Sequence, residues 1–110
     1  MEIETRHENE AVVVTVTGRV DAVTSPELED SLSDLVESDA KVIILGLDEL
    51  EYISSAGLRV ILATAKKLKA KQGDVVLAGL QGDVKNVFDI SGFTSIFRIF
   101  DTVEDALKEA

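Results

Sequence analysis

Ser54 and Ser55 are adjacent hydroxyls, followed at once by Ala56-Gly57 and the run Leu58-Arg59-Val60-Ile61-Leu62. An apolar strand, Val42 to Leu47, leads toward them and an amphipathic helix leaves them. Both hydroxyls therefore fall where the chain turns and side chains meet solvent. The start of a helix has free backbone N–H groups and the positive end of the helix dipole, so it accommodates an anion. A serine at such a place can cap the helix, attack as a nucleophile or accept a phosphoryl group.

Nucleophilic catalysis fails on two counts. Ser55-Ala56-Gly57 supplies only the second half of a G-x-S-x-G elbow, because Ile53 occupies the first glycine position. A general base is also lacking: the only histidine is His7, on an expected edge strand far from the serines. Phosphate-loop patterns are absent, and Gly79-Leu80-Gln81-Gly82 lacks the lysine and hydroxyl of a nucleotide loop, so it reads as a turn. Carboxylates gather at Glu27, Glu29, Asp30 and Asp34 and again at Asp48, Glu49 and Glu51, without the spacing of a calcium loop. With one His and no Cys, a transition-metal site is not expected, and these acids read as a solvated face. No cofactor, metal or enzymatic activity is expected.

Capping and phosphorylation remain, and they are compatible. One serine caps the helix, worth about 1 kcal/mol, and the other stays open to modification. A phosphate would add about −1.5 to −2 charge. The helix start tolerates it, but it would face Asp48, Glu49, Glu51 and any docked partner. At about 100° per residue, Ala56, Val60 and Ala63 should lie opposite a core stripe set by Leu58, Leu62 and Ala65. They would form a small apolar strip on the outer face, beginning beside Ser55.

The elements that position these residues follow from the rest of the chain. At 110 residues it is expected to be one domain, 1–110, with a mainly aliphatic core; it has one Tyr, four Phe and no Trp. The formal net charge of −10 repels phosphate backbones, which argues against direct nucleic-acid binding and suits a protein partner with a basic patch. No run approaches a membrane span, no signal core opens the chain, and cysteine is absent, all fitting a cytoplasmic protein.

Ile3 to His7 and Ala11 to Thr17 read as an antiparallel hairpin. Ser25-Pro26 opens a first helix, with Ser25 as N-cap and Leu28, Leu32, Leu35 and Val36 as its core stripe. Val42-Ile43-Ile44-Leu45 and Val75-Val76-Leu77-Ala78 lack alternation, which marks strands buried on both faces. A second helix is expected from about Ala56 to Gln72, with Leu58, Ile61, Leu62, Ala65 and Leu68 as one stripe and Lys66, Lys67, Lys69 and Lys71 toward its end. Asp83 is placed as the cap of a third helix carrying Val84, Val87 and Phe88. A last strand is expected over Ile96–Ile99 and a last helix over Thr102–Ala110. The order is ββαβαβαβα: a small α/β domain with a mixed, mostly parallel sheet and an antiparallel edge hairpin.

Leu50-Glu51-Tyr52-Ile53-Ser54-Ser55-Ala56-Gly57-Leu58-Arg59-Val60-Ile61-Leu62 resembles the signature of the anti-sigma factor antagonists, the small STAS domains. Gly18-Arg19-Val20-Asp21 with Ser25-Pro26-Glu27-Leu28, and Ser91-Gly92-Phe93, resemble two further family segments. The resemblance implies a binding protein that captures an anti-sigma factor serine kinase when unmodified and thereby frees a sigma factor. It implies phosphorylation of Ser55 as the off-switch, reversal by a metal-dependent serine phosphatase, and a monomer or weak dimer. Carried onto this chain, the family's loop aspartate falls on Asp21, the position before the acceptor on Ser54 and the turn glycine on Gly57; with Arg59 and the apolar strip Ala56, Val60 and Ala63 they make up the expected partner-binding set. Ser54 stands where many members have aspartate, which adds a competing acceptor. Gly46 stands where many have an aspartate in the preceding strand. The same domain type also serves as a structural subunit of signalling scaffolds or lipid-transport complexes, the alternative role.

Overall fold

The computed structural model describes residues 1–109. The β-branched run after Asn9 forms β2 (Ala11–Val20), the longest strand, and β1 (Glu2–Glu8) pairs with it antiparallel. The helix α1 (Ser25–Glu37) follows, then β3 (Val42–Gly46), β4 (Leu50–Ile53), α2 (Ser55–Ala70), β5 (Asp74–Ala78) and α3 (Gly82–Ile90). A single 3₁₀ turn (Phe93–Ser95), β6 (Arg98–Phe100) and α4 (Val103–Glu109) complete the chain. The sheet runs β1-β2-β3-β5-β6, and every pairing except β1–β2 is parallel. Alternation along β2, β3 and β5 divides the interior. Val12, Val14, Ile43, Leu45, Val75 and Leu77 pack with the helices α1, α2 and α3. Val13, Ile44 and Val76 face the other way, where Ala106 of α4 covers them. The strands expected to be buried on both faces are so.

Several elements depart from the sequence reading. An extra strand, β4, makes the order ββαββαβαβα. Only Ala11–Thr15 of the ten-residue β2 pairs with β3, so its end would otherwise present open main-chain groups. Leu50–Ile53 fills that place, and Gly18 makes the handover: its φ is +93° and the register shifts between Gly18 and Arg19.

At α1, Thr24 rather than Ser25 precedes the helix, and its hydroxyl bonds into the preceding loop instead of capping. Ser25 is buried as the first helical residue, with Pro26 beside it. Gln81 precedes α3, and Asp83 sits within its first turn. The last strand starts two residues later than expected, at Arg98. Phe93 holds a 3₁₀ turn ahead of it by packing edge-on to Phe88, with ring centroids 5.6 Å apart, and against Phe97. The last helix begins at Val103, with the Thr102 hydroxyl accepting from the Asp105 N–H; Ala110 lies outside the described residues.

The helix α2 is rotated from the expected stripe. Its buried face is Gly57, Leu58, Val60, Ile61, Thr64 and Leu68, because it packs on the sheet and on α1 together. Thr64 is accommodated there by donating its hydroxyl to the Val60 carbonyl at 2.8 Å.

Candidate functional site

The end of β2 and the start of α2 meet at one residue, Val20. Its carbonyl accepts from the Ser54 N–H at 2.8 Å, and in the sheet it is opposite Ile53. A Cβ built on Gly57 would lie 2.7 Å from Val20 Cγ1 and 2.8 Å from Ile53 Cγ1. Glycine therefore lets the first turn of α2 sit directly on the strand ends.

The two serines divide their roles. Ser54 is the N-cap: it has extended backbone, and its Oγ accepts from the Gly57 N–H at 3.2 Å. Ser55 is the first helical residue; it is exposed, and among the described residues its hydroxyl makes no hydrogen bond. Arg59, one turn along, is exposed as well, while Ala56 and Ala63 are half-buried.

Beside this turn, Asp21 builds the loop between β2 and α1. Its Oδ1 accepts from the N–H groups of Val23 and Thr24, both at 3.0 Å, and from the Thr24 hydroxyl. The Thr24 N–H, its strongest partner, holds the Asp21 carboxyl below its ordinary value. The Thr24 hydroxyl, the Val23 N–H and the Arg19 charge act in the same direction. Locked this way, the loop carries Val23 outward at 86% exposure.

Of the residues expected to meet a partner, Asp21, Ser54, Ala56, Arg59 and Ala63 have some access to this surface. Two do not. Val60 was expected on the outer strip, but it is only 9% exposed and belongs to the core between α2 and its neighbours. The expected stripe is Leu58, Ile61, Leu62, Ala65 and Leu68; packing on two elements keeps Leu58, Ile61 and Leu68 inward but adds Val60 and Thr64, while Leu62 and Ala65 are only half-buried. Gly57 is buried beneath the turn and acts through close approach alone.

Sequence reasoning missed Val23 and the pair Arg19–Tyr52, whose guanidinium carbon lies 4.4 Å from the ring centroid. Arg19 and Tyr52 are register partners across β2 and β4. That contact was not readable without β4. Val23 could have been found from Asp21 followed three residues later by Thr24, an Asx-turn pattern that leaves the intervening side chains outside.

Clefts of about 280 Å³ and 370 Å³ lie elsewhere, the first lined by Arg6, Asp48, Asp101 and Thr102, the second by His7, Asn9, Ser38 and Lys41. Among the described residues no cluster of three or more His, Cys, Asp or Glu could hold a metal ion. No helix there is long and apolar enough to cross a membrane. An exposed turn with a free hydroxyl, a cation and a projecting valine can be docked against and can be modified.

Comparison with known proteins gives the family. The STAS domain profile matches residues 2–106. A Bordetella bronchiseptica protein assigned as the anti-sigma factor antagonist BtrV is 41% identical over 95 residues, covering 86% of this chain and 82% of its own. The crystal structure of an anti-sigma factor antagonist from Mycobacterium paratuberculosis superposes with a TM-score of 0.89 at 26% identity, over 98% of this chain and 92% of that one. The Bacillus cell fate determinant SpoIIAA in its phosphorylated form shares the fold, with a TM-score of 0.79 at 22% identity and 98% coverage of both chains. The chain belongs to the STAS domain family.

Proposed function

We propose that the chain is an anti-sigma factor antagonist that works by partner switching: a regulatory binding protein of the cytoplasm, monomeric or weakly dimeric, and not an enzyme. Unmodified, it binds an anti-sigma factor that is itself a serine kinase, and so releases a sigma factor. Asp21 fixes the loop, Val23, Ala56 and Ala63 offer apolar contact, and Arg59 offers a cation. Ser54 and Gly57 hold the turn in place.

Ser55 is the switch. The γ-phosphoryl group of a nucleoside triphosphate passes to Ser55 Oγ, whose proton is lost, and the diphosphate leaves. A metal-dependent serine phosphatase later transfers that group to water and restores the hydroxyl. The new charge, about −1.5 to −2, stands on the docking surface and opposes association by repulsion and desolvation.

The observation carrying this reading is the division of roles between the serines: Ser54 Oγ is committed to the Gly57 N–H, while Ser55 is exposed and unbonded. The relatives named as anti-sigma factor antagonists support the partner, and a neighbour known in a phosphorylated form supports the switch. Calorimetry with the cognate anti-sigma factor tests it. Ser55→Ala should bind as tightly as the unmodified protein, and Ser55→Asp should bind at least tenfold more weakly while keeping its circular dichroism spectrum. Equal binding by the two variants would sink the switch.

A further inference from the structure

Among the described residues, Arg59 is a cation in no ion pair, on an acidic protein. The chain has 21 Asp and Glu against 11 Lys and Arg, yet α2 contains no acidic residue from Ser55 to Ala70. The ion pairs among the described residues are Arg6–Glu8, Lys69–Asp74 and Lys85–Asp89, and Arg59 belongs to none of them. It is exposed, and it sits four residues after the exposed Ser55 on one helix face.

Side chains on a helix lean toward its N-terminus, so a long residue covers the turn before its own Cα. For Arg59 that turn is the one carrying Ser55. Anion first and cation four residues later is also the favourable order for an intrahelical pair. A guanidinium fork matches phosphate oxygens in two-point contact, more strongly than it pairs neutral acceptors. Competitors are few. Ser54 already spends its hydroxyl on the Gly57 N–H, the Arg19 guanidinium is stacked on Tyr52, and Lys66 lies about 16 Å further along the helix axis than Ser55.

We infer that Arg59 is an intrahelical clamp for the phosphate of modified Ser55, and that pairing withdraws this cation from the docking surface. This inference rests on the reading of Ser55 as the phosphoacceptor. Modification then changes the surface twice: it adds an anion and occupies the guanidinium that an acidic group of the partner would meet. Removing Arg59 should therefore mimic part of the off-state without any phosphate.

The clamp is tested on full-length protein carrying phosphoserine installed at position 55 during translation, which needs neither kinase nor partner. Phosphorus NMR titration should give a second phosphate pKa lower by about half a unit in the native sequence than in Arg59→Gln, with Arg59→Lys between them. The difference should shrink in 1 M salt, as an exposed pair is screened. Equal titration of the native protein and Arg59→Gln would overturn the clamp. Unmodified Arg59→Gln that binds the anti-sigma factor as tightly as the native chain would overturn the withdrawal, since that cation would then be no docking contact. Failure of the phosphoacceptor reading shows separately, as a kinase that leaves Ser55 unmodified in mass spectrometry.

Discussion

Replacing Gly57 by alanine sets two effects against each other, and the geometry decides between them. Alanine in a helix is favoured over glycine by about 0.5–1 kcal/mol, because less backbone freedom is lost on folding. Against this, the new methyl would stand 2.7 Å from Val20 Cγ1 and 2.8 Å from Ile53 Cγ1. Carbon atoms in contact prefer about 3.5–4.0 Å, so each contact is short by roughly 1 Å. Neither neighbour has open space to yield into, since Val20 is 0% and Ile53 3% exposed.

Overpacking of this kind costs about 1–3 kcal/mol, and it outweighs the gain. Gly57→Ala should lose about 1–2 kcal/mol in urea unfolding followed by circular dichroism, and melt several degrees lower. Gly57→Val, larger and β-branched, should lose more. A Gly57→Ala protein as stable as the native chain would refute the close-approach account of this turn. The same variant should bind the partner less well, because relief of the clash lifts the turn bearing Ser55 off the strand ends.

The serine pair gives a second check on stability: Ser54→Ala removes the cap and should cost about 1 kcal/mol, whereas Ser55→Ala should stay within about 0.5 kcal/mol of the native protein in the same unfolding assay. The loop before α1 gives a pH signature. The lowered pKa of Asp21 stabilises the fold fully above the ordinary carboxylate value and is lost as pH falls through the folded value. The stability gap between native protein and Asp21→Asn should therefore be widest near neutrality and narrow below about pH 4, and a gap independent of pH would count against the turn. Asp89, lowered chiefly by its bond to Lys85, should behave alike in Asp89→Asn.

Much of the fold could be read from runs of one residue type. Val42-Ile43-Ile44-Leu45 and Val75-Val76-Leu77-Ala78 announce buried strands because both faces of a parallel sheet exclude polar side chains, and both lie where expected. Leu50-Glu51-Tyr52-Ile53 was not legible. Four residues with two exposed in the middle carry no strand period, and the strand forms only because β2 overhangs β3. The rotation of α2 was hidden for a related reason. Leu58, Ile61, Leu62 and Ala65 are all apolar, so the pattern spans more than the buried face, and only packing against α1 and the sheet selects Val60 and Thr64 for the interior. At the site, adjacent serines before a glycine marked the turn. Which hydroxyl is committed depended on backbone angles that no residue type reveals.

Val20 joins three things at one point: a main-chain bond to Ser54, sheet pairing with Ile53, and side-chain contact under Gly57. Those three contacts hold the turn bearing Ser55 to the strand ends, so the proposed switch would work without moving a lid or a hinge. Its tempo would then be free of the microsecond-to-second conformational steps that pace many regulated proteins. The delay between signal and response would come from phosphoryl-transfer turnover and from dissociation of the bound partner, whichever is slower. Stopped-flow mixing of phosphorylated and unmodified forms with the anti-sigma factor would show this as single-exponential association, with no lag that persists at saturating partner.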